Sequence, residues 1–105
     1  MSDSGSGGDI SLIGGATSAS KVTGGNLRLL SGSSFEASSG EVIIGSANAG
    51  RRGVSGAVVL RTGTSSEGNT GAILLQTSRG ITGRAGNIDV LVGSGDSGDG
   101  GHLTL

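Results

Sequence analysis

A short phrase recurs seven times and constrains this chain more than any other feature: a glycine, any residue, an aliphatic, any residue, and a second aliphatic. It opens at Gly8, Gly25, Gly40, Gly56, Gly71, Gly86 and Gly101, at intervals of 17, 15, 16, 15, 15 and 15 residues. The aliphatic pairs are Ile10 and Leu12, Leu27 and Leu29, Val42 and Ile44, Val58 and Leu60, Ile73 and Leu75, Ile88 and Val90, and Leu103 and Leu105. Alternation with a period of two is a β-strand pattern, and no segment carries a helical period. One short strand per repeat leaves about ten residues to turn and return, so each coil can set its strand beside the equivalent strand of the next. The expected fold is all-β: a parallel β-solenoid, in the manner of a β-helix or β-roll, with about 15 residues per coil and about seven coils. It would occupy residues 8–105 behind a flexible N-terminal tail of residues 1–7. Seven rungs at roughly 4.8 Å would build a rigid rod roughly 34 Å long.

The composition sets what such a solenoid can contain. Among 105 residues there are 24 glycines, one aromatic (Phe35), no proline and no cysteine, which excludes a core of large interlocking side chains. Unpatterned, this much glycine and serine describes a flexible linker; the periodic order is what points to a fold. Two residues beyond the second aliphatic stand Gly14, Ser31, Ser46, Thr62, Thr77 and Val92, followed by Gly15, Gly32, Ala47, Gly63, Ser78 and Gly93, small enough for a sharp turn at most of these positions. The return half of each coil is nearly all Ser, Thr, Gly and Ala, apart from Phe35, Ile81 and Val54. A second wall is therefore expected close to the first, in a thin, flattened solenoid.

Seven Lys and Arg against eight Asp and Glu give a formal net charge of −1, with no chain-wide attraction to nucleic acid or an anionic membrane. No apolar run approaches the roughly 18 residues that span a bilayer, and Met1 to Gly5 lack the basic start and apolar stretch of a secretory signal. A soluble chain without a membrane or nucleic-acid partner is expected. The absence of cysteine removes disulfides and thiolate metal sites and leaves the compartment open.

The outward strand positions distinguish the coils. Asp9, Ser11, Asn26 and Arg28 are polar, whereas Val42-Ile-Ile44, Ala57-Val-Val-Leu60 and Ala72-Ile-Leu-Leu75 are apolar on both phases, as strands buried on both faces are. Stacked, Ile43, Val59 and Leu74 would become neighbours, flanked by Ala57 and Ala72 with Leu30 and Leu91 near the ends. A contiguous apolar face of this kind marks an interface, and the simplest partner is an identical chain face to face, as a homo-oligomer. Leu103-Thr-Leu105 stops halfway through a coil and leaves an unpaired strand edge. The expectation is a segment of a longer array, or an edge covered by end-to-end stacking.

Catalytic and metal chemistry find little support. His102 is the only histidine and is read as an exposed residue of the last strand. No Gly-any-Ser-any-Gly elbow occurs, and no base stands ready to activate a serine. Gly93-Ser-Gly-Asp-Ser-Gly98 matches a dinucleotide-binding spacing, but no helix can follow it and no acidic residue lies about 20 positions on. Asp96 and Asp99 are the candidate metal ligands, within a Gly93–Gly101 stretch resembling the calcium nonapeptide of β-rolls. Calcium needs six to eight oxygens drawn from adjacent turns, and the equivalent loops carry Glu67, Arg79 and Arg84. No metal and no cofactor is therefore expected. Arg51, Arg52, Arg61, Arg79 and Arg84 against Glu67 could hold an acidic polymer, although no aromatic side chains stand among them for stacking.

The phrase with its Gly/Ser/Thr-rich filler, from Gly8 to Leu105, resembles the Gly/Ser-rich short-coil parallel β-solenoid repeat arrays of large microbial and microalgal proteins. That resemblance implies a segment of a repetitive extracellular or surface protein and brings no functional residues with it. The coil length also resembles that of antifreeze solenoids, but the Thr-any-Thr spacing occurs only at Thr62-Gly-Thr64, with Ser31-Gly-Ser33, Ser46-Ala-Asn48 and Thr77-Ser-Arg79 at the equivalent places. The sequence is thus read as a non-catalytic structural or interaction module that self-associates through an apolar face. The alternative is a surface-binding protein that uses its Ser/Thr-rich side for ice or an acidic polymer.

Overall fold

The structure, a computed structural model, describes residues 5–105. Residues 1–4 of the expected tail lie outside the described residues; Gly5 is at a bend with φ 100, and Gly5 to Gly7 are exposed. The chain divides into two units, Met1–Ala57 and Val58–Leu105.

Among the described residues no helix and no strand forms. The parallel β-solenoid read from the alternation is therefore corrected: there is no stack of seven coils, no β-helix or β-roll, and no ladder joining one phrase to the next. Hydrogen bonding carries the same message. Three backbone bonds and three bonds involving a hydroxyl link the described residues, where a folded domain makes on the order of one per residue. Burial agrees. The accessible surface is 11169 Å² for a mass of 10.0 kDa, whereas even two separately folded halves would expose only about 6,300 Å².

The reason lies in what the return half of each repeat offers. Fourteen in-phase aliphatics would have to offset the ordering of a chain with 24 glycines, the residue that loses most conformational freedom on folding. Across from them stand Ser, Thr, Ala and Gly, whose burial removes little apolar surface from water. The larger side chains of that half do not pack back either: Phe35 is 100% exposed, Val54 94% and Ile81 85%.

What forms instead is local and periodic. Bends or turns fall at residues 19–21, 35–37, 51–52, 66–68, 81–83 and 96–98, each beginning ten or eleven residues after a repeat glycine. Each bend returns the chain so that the next repeat glycine meets the small residue two places beyond the preceding second aliphatic. A methyl built on Gly40 would lie 3.4 Å from Ser31 Cβ, on Gly56 3.8 Å from Ser46 Cβ, on Gly71 3.7 Å from Thr62 Cγ2, and on Gly86 3.9 Å from Thr77 Cγ2. At the ends the approach is tighter: 3.0 Å from Val92 Cγ1 at Gly101, and 2.8 Å from the Gly25 carbonyl oxygen at Gly14. Each of the first six repeats is thus an unpaired arm carrying the aliphatic pair, followed by a closed loop.

Two closures are hydrogen-bonded. The Gly25 N–H donates to Gly15 O at 2.8 Å and the Gly40 N–H to Gly32 O at 2.9 Å, while Ser31 Oγ donates to Gly40 O at 2.8 Å. Inside the loops, hydroxyls capture free amides: Ala19 N–H donates to Thr17 Oγ1 and Ala37 N–H to Ser34 Oγ, the usual way Ser and Thr initiate turns. Lys21 completes the first bend at φ 64, a left-handed conformation uncommon for a residue with a side chain.

Candidate functional site

The arms carry the side chains that could meet a partner. Every large hydrophobic residue of the described chain is exposed, the most covered being Val92 at 46%. The period-two pattern does not survive as a pattern of exposure: in the doubly apolar arms the first aliphatic is the least exposed (Val42 56%, Val58 63%, Ile73 57%), but the second in-phase aliphatic is as open as the outward residue, Leu60 at 79% beside Val59 at 74%. Both sides of each arm are therefore open.

Ile43, Val59 and Leu74 are exposed, as are Leu30, Leu91, Ala57 and Ala72. No ladder places the first three side by side, so the flat sheet that would have made them one face is absent. Ile43 and Ala57 belong to the first unit and Val59, Ala72 and Leu74 to the second. Their apolar surface is available arm by arm.

The described residues enclose no cavity, and no buried polar atom lacks a partner. No group of three or more His, Asp or Glu side chains converges among them. Asp96 lies in the bend of the last closed loop and Asp99 just beyond Gly98, which has φ 76; both carboxylates are exposed. Gly14 and Gly80 are the only described residues that are not exposed. Gly80 sits against the backbone of the following bend: a methyl there would lie 2.9 Å from Arg84 O and 3.0 Å from Gly83 O. The stretch is held by backbone proximity rather than by side-chain packing.

Two features escape the sequence reading given above. One is the pairing of each repeat glycine from Gly25 onward with the small residue nine to eleven positions before it, for which the near-constant interval between those two positions is the available signal. The other is the turn Gly50–Gly53, where Arg51 and Arg52 are set between two glycines. Compared with known protein families, with curated proteins and with solved structures, the chain matches none of them.

Proposed function

We propose that this chain is a non-catalytic self-association module whose aliphatic arms are covered by further copies of the chain. The observation that supports this is the exposure of all 25 Val, Ile, Leu and Phe side chains at 46% or more. Water-exposed apolar surface at this density favours association. The three doubly apolar arms supply nine such residues, Val42 to Ile44, Val58 to Leu60 and Ile73 to Leu75. At roughly 60–120 Å² of apolar surface each, they could remove on the order of 1,000–2,000 Å² from water between two chains, the size of a standard stable interface. The near-zero net charge of −1 offers little repulsion to oppose it.

Sedimentation equilibrium over a wide concentration range tests this. The wild-type chain is expected to associate, and Leu74→Asp to weaken association about tenfold or more, because a buried unpaired carboxylate is costly. Leu74→Met, which conserves volume and apolarity, should leave association within about threefold. A wild-type chain that stays monomeric at the highest attainable concentration would end the proposal.

A further inference from the structure

Arg51 and Arg52 are the only adjacent basic residues in the chain. The Gly53 N–H donates to Gly50 O at 3.4 Å, so the two arginines are the central residues of a β-turn at the tip of the third closed loop, and both are exposed. We propose that this turn is a processing site, at which an endoprotease that recognises paired basic residues cleaves the peptide bond between Arg52 and Gly53.

Charge, access and conformation each support the assignment. No carboxylate occurs between Glu41 and Glu67, so both guanidinium groups are free of acidic neighbours along the chain and available to the acidic subsites such a protease presents. Flanking bulk is minimal. A methyl built on Gly50 would meet nothing within 4 Å, and one on Gly53 only Ala49 Cβ at 4.0 Å. A protease cleft binds its substrate extended, by adding it as a strand, so the turn has to open. Its single closing bond lies beyond the normal N–H···O range, and the two glycines that frame it adopt almost any backbone conformation. The other basic residues, Lys21, Arg28, Arg61, Arg79 and Arg84, each stand alone.

The step is a hydrolysis. One water adds to the carbonyl carbon of Arg52, the bond to the Gly53 nitrogen breaks, Arg52 keeps a new carboxylate, and Gly53 leaves as an amine carrying the transferred proton. The products are residues 1–52, with the first three repeat phrases, and residues 53–105, with the other four.

The test is limited digestion of the full chain with a subtilisin-type endoprotease specific for paired basic residues, followed by intact-mass analysis. Cleavage after Arg52 is expected at least about tenfold faster than after any single basic residue, the margin of one charge-assisted contact. Arg51→Gln should lower that rate by about tenfold or more, while trypsin, which needs one basic residue, still cuts after Arg52. Cleavage after Arg52 no faster than elsewhere, or indifferent to Arg51→Gln, would overturn the assignment. So would resistance of the full chain when a short peptide spanning residues 47–56 is cut.

Discussion

The loops that close at Gly40 and at Gly71 both span nine positions, from Ser31 and from Thr62, and end in the same pairing of a repeat glycine with a small hydroxyl residue, yet different forces hold them. At Gly40 the closure is polar: the Gly40 N–H is bound to Gly32 O at 2.9 Å and the Ser31 hydroxyl to Gly40 O at 2.8 Å. At Gly71 Thr62 presents its methyl, and only van der Waals contact is available at the glycine. Ser46 at the same position opposite Gly56 makes no such bond, so serine permits the polar latch without dictating it. A repeat that tolerates either is defined by backbone proximity at the glycine, with the side chain deciding only how firmly the loop is latched.

The largest effect is expected from filling a glycine where backbone already occupies the space. A Cβ at Gly14 would stand 2.8 Å from Gly25 O, a separation that forces the two segments apart. Overpacking of this kind costs about 1–3 kcal/mol, more than the roughly 0.5–1.5 kcal/mol that one hydrogen bond contributes net. Gly14→Ala is therefore expected to open the first closure, and the Gly25 amide should exchange with solvent as fast as in an unstructured chain. Unchanged protection at Gly25 would mean that the backbone yields without losing its bond. Ser31→Ala comes next in size. It deletes one exposed hydrogen bond, at the low end near 0.5 kcal/mol, so the Gly40 amide should exchange about twofold faster while the Gly25 amide is unaffected. Equal exchange at Gly40 in both proteins would assign the closure to the backbone bond alone.

These loops also show what the sequence encodes and where it falls silent. Glycine with serine or threonine at regular intervals marks where the chain bends, because those residues supply turn conformations and local hydroxyl acceptors; the bends at 35–37, 66–68, 81–83 and 96–98 lie within such stretches. The alternation in Val42 to Ile44 or Ile73 to Leu75 describes the two sides of one segment and contains no information on which segment pairs with it. Isolated strands without partners and without a hydrophobic face to cover are marginal in water, and the small side chains of the return halves supply no such cover. Alternation and repetition together do not specify a ladder, since both are equally compatible with a series of separate local closures. The candidate interface inherits that ambiguity: Ile43, Val59 and Leu74 are legible as apolar in the outward phase, whereas their adjacency depended on the ladder. Arg51 and Arg52 illustrate the opposite case. Their two flanking glycines form a turn signature in the sequence, and a count of arginines conceals it.

Gly71→Ala should have an effect no larger than that of Ser31→Ala and of opposite sign. Unlike Gly14, Gly71 has open space for a methyl, 3.7 Å from Thr62 Cγ2 in ordinary contact, and its φ is outside the left-handed range. With no clash and no left-handed backbone, the main consequence falls on the open chain, which loses conformational freedom it would otherwise surrender on closing. Such substitutions stabilise by about 0.4–1 kcal/mol, and the new methyl gains the Thr62 methyl as a neighbour. A stronger nuclear Overhauser effect between position 71 and the Thr62 methyl, reduced again by adding Thr62→Ser, would show that an apolar latch can be tightened where a polar one is absent. A weaker effect would mean that the closure at Gly71 depends on glycine for its backbone and not for its size, which would place it with Gly14 and remove the distinction between the two kinds of loop.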